Sequence, residues 1–138
     1  MADPSRQRLV PMLQYDDAPA ALAFLCEAFG FEERYRMPMP DGTIGHAELA
    51  LGDDLVMLAT TWAIAGFASP RDLPGVHGQL LCYVDDVDAH YARALRCGAT
   101  VIAEPRDQEH GDRSYRAVDP EGHRWIFATR LASAGSAE

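Results

Sequence analysis

His46 and Glu48 stand two apart in Gly45 to Leu51, a stretch that alternates apolar with polar residues. On a strand that spacing puts both side chains on one face. There an imidazole and a carboxylate could share a proton or fill two positions around a metal ion. Ala47, Leu49 and Leu51 take the other face. A metal would need a third donor from elsewhere, whereas a hydrogen-bonded polar pair at a cavity wall needs nothing more. His77, His90, His110 and His123 fall in loops, in a helix or at a strand start and read as surface or structural histidines. Asp16-Asp17 and Asp85-Asp86 look like paired carboxylates, but helix capping accounts for both pairs. The sequence has no Gly-rich phosphate loop, CxxC pair, nucleophile elbow or HExxH pattern. Cys26, Cys82 and Cys97 lack metal-type spacing and read as small buried hydrophobes in a reducing compartment.

The elements that would carry these residues belong to one domain. The chain has 138 residues, 48% of them hydrophobic and 24% charged, enough for a sizeable core. A net charge of −9 repels nucleic acid. Arg113, Arg116 and Arg124 are interleaved with Asp112, Asp119 and Glu121, which suggests local pairing or an anion contact. Met1 to Gln7 has no apolar core of a signal peptide, and no stretch approaches a membrane span. The expectation is a cytoplasmic protein without membrane or nucleic-acid partners.

The chain repeats itself. Leu13-Gln14-Tyr15-Asp16-Asp17 returns as Cys82-Tyr83-Val84-Asp85-Asp86, an offset of 69, and Leu58-Ala59-Thr60 falls on Phe127-Ala128-Thr129 at the same offset. Between these anchors the order of elements is the same. In the first half, Leu9 to Tyr15 reads as a strand, followed by a helix capped by Asp16 or Asp17 with Pro19 in its first turn and Gly30 at its end. Strands are predicted over Phe31–Met37, Gly45–Leu51 and Leu55–Thr60, with turns at Pro40-Asp41-Gly42 and Gly52-Asp53-Asp54. The second half gives a strand over Gln79–Val84, a helix from Asp86 to Gly98, and strands over Thr100–Ala103, Arg113–Val118 and His123–Thr129. Pro105–Asp112 reads as a polar loop. The expected organisation is module one over about 8–61, a linker over about 62–77, module two over about 78–130 and a fraying tail over 131–138.

Two tandem βαβββ units resemble the vicinal-oxygen-chelate superfamily, the glyoxalase / bleomycin-resistance / dioxygenase family. Local phrases are similar to its PhnB-like branch: Pro40-Asp41-Gly42, Gly45-His46-Ala47-Glu48-Leu49, Gly111-Asp112-Arg113 and Asp119-Pro120-Glu121-Gly122-His123-Arg124-Trp125. The resemblance covers about residues 8–130. It implies an α+β fold in which the two modules form a half-open mixed β-sheet cup with helices on the outside, and it implies a homodimer. It also implies a divalent metal held by His, Gln or Glu on the first and last strands of each unit.

Carried over by the family's spacing, the four ligand positions fall at Val10, Met57, Gln79 and Ile126, and the 69-residue offset relates them in pairs. Two have no lone pair. A thioether and a neutral amide are poor donors for hard divalent ions. A slip of one residue brings in Leu9, Pro11, Val56, Leu58, Leu80, Trp125 or Phe127, which are no better; Gly78 and its flank His77 alone leave room for argument. The expectation is a cup without the family's metal and without a cofactor.

Alternation from these positions predicts the rest of the lining: Val10, Met12 and Gln14; Met57; Gln79, Leu81 and Tyr83; Arg124 and Ile126; with His46 and Glu48 beside them. On the strand from Arg113, an offset of 69 makes Tyr115 the partner of His46, and 70 makes it Arg116. Trp62 could reach the mouth, while Trp125 falls on the helix side. A mostly apolar cup with a few polar anchors suits a small-molecule ligand. One reading is a ligand-sequestering protein, as in the acidic, metal-free bleomycin-resistance relatives, whose charge favours cations. Another is a lyase, isomerase or dioxygenase using an unusual metal site at His46 and Glu48, or acid/base chemistry with Glu48, His46 and Tyr115 as candidates. A third is a subunit with a vestigial cavity.

Overall fold

The computed structural model describes residues 7–132. It consists of two four-stranded mixed sheets and two helices, an α+β arrangement. The first unit runs β1 (Met12–Tyr15), α1 (Ala18–Phe29), β2 (Glu32–Pro38), β3 (Ile44–Leu51) and β4 (Asp54–Thr60). The second runs β5 (Leu80–Tyr83), α2 (Val87–Arg96), β6 (Thr100–Asp107), β7 (Asp112–Val118) and β8 (Arg124–Arg130). The sheet orders are β1-β4-β3-β2 and β5-β8-β7-β6, the same topology twice. In each sheet the first strand runs parallel to the last, and the other pairings are antiparallel.

Local chemistry sets the helix ends. The Asp17 carboxylate accepts from the Ala20 amide and Pro19 sits in the first turn, while Gly30 ends the helix at φ 79°, which a side chain would resist. Asp86 caps α2 through the Ala89 amide. That helix ends at Arg96 with Cys97 as its C-cap, one residue before the expected Gly98. Cys97 is exposed, correcting its reading as buried. Cys82 is half-buried, and burial raises its thiol to about 12.

Two other expectations change. β1 begins at Met12, so Val10 precedes it, although the Pro11 carbonyl still accepts the Met57 amide. β6 continues through Pro105 to Asp107, where a loop was expected. Pro105 is tolerated because β6 is an edge strand with a register shift between Ala103 and Arg106, where no ladder bond is required of it. Residues 133–138 of the expected tail, and 1–6 of the N-terminus, lie outside the described residues.

Both helices and the inner faces of both sheets share one core. Phe29 of α1 reaches into the second unit, with its ring 5.8 Å from Trp125 and 4.7 Å from Phe127. His90 of α2 spans the same junction. Its Nε2–H donates to the Phe29 carbonyl at 2.7 Å, which leaves Nδ1 to accept the Tyr115 hydroxyl at 2.7 Å. Burial lowers the His90 pKa below 6.5. The unfolded chain therefore binds this proton more readily than the native one. Its contribution is complete above about pH 6.5 and is lost as pH falls through the lower native value. Melting temperature should fall from about pH 7 to about pH 5, and His90→Gln should flatten that slope. An unchanged slope in the variant would exclude His90 as the titrating group.

The β7–β8 connection supplies a second junction. Tyr15 donates to Asp119 Oδ2 at 2.6 Å and Trp125 Nε1 donates to the same oxygen at 3.1 Å. Asp119 Oδ1 accepts the Glu121 and His123 amides. Glu121 accepts the amides of Asp16 and Asp17 and the hydroxyl of Ser69, and Arg71 lies 3.4 Å away. His123 Nε2 bonds the Gln14 carbonyl. Both carboxylates are buried, yet among the described residues no buried side-chain polar atom lacks a partner.

Candidate functional site

Each sheet turns one face to the helices and leaves the other open. On the first sheet, Met57 lies opposite Met12 and Glu48, and Glu48 opposite Tyr35, so these four form one rung of the open face. His46 lies one rung along, opposite Met37. The expected pair is formed: His46 Nε2 and Glu48 Oε2 are 2.9 Å apart and half-buried, with the Tyr35 ring centred 6.0 Å from His46. Sequence reading missed Tyr35; its alternation is masked by a bulge between Glu33 and Tyr35.

On the second sheet the corresponding rung is Leu81, Ile126 and Arg116. Met57 and Ile126 are repeat mates, so Arg116 occupies the place of Glu48, and Ser114 that of His46. Neither expected register is right. Between matched rungs, Ala50 to Leu55 and Val118 to Arg124, the second connection is one residue longer. A shift of one residue turns every side chain of a strand over. Tyr115 consequently faces the helices, fully buried and bonded to His90. It is corrected to a core residue, and burial raises its phenol pKa far above the usual value. Trp125 is fully buried on the helix side, as alternation requires.

Tyr83 continues the open face of the second sheet. Its hydroxyl donates to Asp112 Oδ2 at 2.8 Å, which raises its pKa, and the Arg130 guanidinium lies 3.6 Å over its ring. His110 stands 3.6 Å from the same carboxylate oxygen.

A groove of about 410 Å³ runs where the two units meet. Met12 and Gln14 of β1, Gln79, and Arg124 of β8 converge on it, joined by His123. Its far wall comes from the linker, where Phe67, Leu73 and Val76 contribute. The structure thus brings four of the expected lining residues into one groove. His46, Glu48 and Met57 lie on the first open face, and Leu81, Tyr83, Arg116 and Ile126 on the second. Val10 is half-buried beside β1, and Trp62 is 63% exposed on the linker; neither lines the groove.

Val10, Met57, Gln79 and Ile126 offer a thioether and an amide, a donor set that does not fit a hard divalent cation. Among the described residues, no group of three or more His, Cys, Asp or Glu is arranged to hold a metal. No helix among them is long and apolar enough to cross a membrane.

Two βαβββ units with open sheet faces and an apolar groove at their junction define a vicinal-oxygen-chelate protein. Residues 8–127 match the Glyoxalase/Bleomycin resistance protein/Dioxygenase superfamily, and the chain belongs to it. It is similar to TioX from Micromonospora sp. ML1, at 35% identity and TM-score 0.73, with 91% of this chain and 99% of that one covered. An uncharacterized protein of Mycobacterium tuberculosis (strain H37Rv) is 39% identical over 120 residues, covering 85% of this chain and 71% of the relative. A glyoxalase/bleomycin resistance protein/dioxygenase family enzyme from Burkholderia phytofirmans PsJN shares the fold at 22% identity and TM-score 0.71, with coverage of 88% and 97%.

Proposed function

We propose that this protein is a cytoplasmic, PhnB-like member of the superfamily that binds a small hydrophobic or aromatic molecule, a metabolite or an antibiotic, without the family's metal. The observation that carries this reading is the groove, where an apolar wall meets the amides of Gln14 and Gln79 and the guanidinium of Arg124. Apolar lining with few polar anchors is the usual make-up of a ligand site. The donor set at the family's metal positions supports binding without a metal.

The protein works as a homodimer in this reading. Met12, Tyr35, Leu81 and Tyr83 are large and apolar but 67%, 49%, 52% and 38% exposed. A second copy laid over these faces would remove them from water and deepen the cup. Sedimentation should give twice the chain mass.

A second reading rests on the His46–Glu48 contact, an acid/base pair beside the Tyr35 ring. It makes the protein a lyase, isomerase or dioxygenase-type enzyme in which Glu48 moves a proton, and Glu48→Gln would abolish turnover.

Metal analysis of protein purified without chelator tests the first reading. The expected result is no stoichiometric transition metal, and finding one would overturn it. A thermal-shift screen of aromatic compounds should then find stabilisation, about 2.7 kcal/mol at a hundred times the Kd. A screen without any stabilising compound argues against the ligand cup.

A further inference from the structure

The twelve basic residues of this chain are all arginine, against 21 acidic residues. With that excess of carboxylates, arginines lacking an acidic partner call for an explanation. Among the described residues, Arg34, Arg36, Arg71 and Arg113 form ion pairs, and Arg93 bonds the carbonyls of Cys26 and Glu27. Arg8 and Arg96 are exposed and form no ion pair among the described residues, and Arg130 lies over the Tyr83 ring. Arg106, Arg116 and Arg124 form no ion pair among the described residues, and all three share the open face of the second sheet.

Register places them closely. Arg116 lies opposite Ile126, and Arg124 is two residues before Ile126 on the same face. Arg106 lies opposite Ser114, one rung beyond Arg116. Diagonal neighbours on a sheet are about 7–8 Å apart, within reach of two long side chains that converge on one group. Both Arg116 and Arg124 are exposed, and Arg124 also lines the groove. Between them and β5 lies an apolar rung, Ile126 and Leu81, with Tyr83 beyond it. The one carboxylate on these rungs, Asp112, is buried, takes the Tyr83 hydroxyl and sits at the Arg130 end. In the first unit the place of Arg116 is held by Glu48, so the repeat has diverged to opposite charge on its two open faces.

We infer that the open face of the second sheet recognises a small organic anion, a carboxylate, sulfonate or phosphate on a flat apolar body. Arg116 and Arg124 hold the anion, and Ile126 and Leu81 lie under the body. Guanidinium suits this chemistry because its planar fork of donors matches two oxygens at once. The assignment opposes the preference for cations that net charge alone suggests: the local field of the face decides, not the total. It deepens the ligand-cup reading and rests on it.

Two probes with one aromatic body separate the terms: 1-anilinonaphthalene-8-sulfonate, and N-phenyl-1-naphthylamine, which lacks the sulfonate. Fluorescence titration of the full chain should show the sulfonate binding at least about tenfold tighter, the scale of one hydrogen bond to a charged group. Arg116→Ala with Arg124→Ala should erase that preference, bringing the ratio of the two affinities to about one; Arg96→Ala, outside the groove, should leave the ratio unchanged. Added salt should weaken the sulfonate selectively. This last measurement uses the unaltered protein and stands even if the double variant fails to fold. Equal binding of both probes, or a preference indifferent to salt, overturns the anion assignment and leaves the ligand cup standing. Binding of neither probe overturns both. A double variant that sediments as a monomer yet keeps its preference assigns the arginines to the subunit interface and overturns the inference.

Discussion

Asp119→Ala should lower stability by about 3–5 kcal/mol, the scale for removing one partner from a buried charged network. The Asp119 carboxylate accepts four hydrogen bonds: from the Tyr15 hydroxyl, the Trp125 indole and the amides of Glu121 and His123. Truncation leaves all four donors without this acceptor. Tyr15 and Trp125 are both fully buried, so water cannot replace it without opening the core. Tyr15 belongs to the first unit and Trp125 to the second, which makes Asp119 a bond between units as well as within a turn. At this chain length the loss corresponds to a fall in melting temperature of roughly 10–20 °C. Asp119→Asn keeps the shape and one acceptor oxygen and should recover part of the loss. A drop of less than about 1 kcal/mol in Asp119→Ala would mean that the carboxylate is not the latch described here.

Phe29→Ala should cost a similar amount, about 3–5 kcal/mol, through a different term. Phe29 is fully buried at the end of α1, and its ring neighbours are Phe24, His90, Trp125 and Phe127. Three of those four belong to the second unit. The variant loses the ring's transfer free energy and leaves a cavity between the units that neither helix can fill alone. Denaturant unfolding would register it as a lower midpoint. Phe29→Leu should recover more than half of the loss because most of the volume is kept. If Phe29→Ala also splits the transition in two, the ring is what couples the units into one cooperative fold.

The two variants act where sequence reading was weakest. Strand alternation and helix stripes follow from short-range periods, so the order of the elements, helix capping by Asp86 and by one of Asp16 and Asp17, and the open-face positions of His46, Glu48, Leu81 and Ile126 were legible. Asp119 and Glu121 were read as local partners of nearby arginines and as part of a phrase similar to the family's. Their partners, Tyr15, Asp16 and Asp17, lie more than a hundred positions away along the chain, and no local pattern encodes such a distance. Tyr115 stood as one of two candidates for the cup, beside Arg116, because the offset of 69 assumes equal loop lengths. One extra residue between β7 and β8 sends its side chain into the core instead.

By itself, the sequence determined the doubled βαβββ order, and it set valine, methionine, glutamine and isoleucine at the positions where the family resemblance puts metal donors. Both depend only on residue identity at positions that two independent spacings agree on. The tertiary structure alone decided which of those positions meet. It gathered Met12, Gln14, Gln79 and Arg124 into one groove under the linker, and it left Arg116 and Arg124 on one open face without carboxylate partners among the described residues. Convergence and charge pairing depend on how separate strands are stacked and how long the loops between them are. Those are properties of the folded chain that a one-dimensional pattern does not contain.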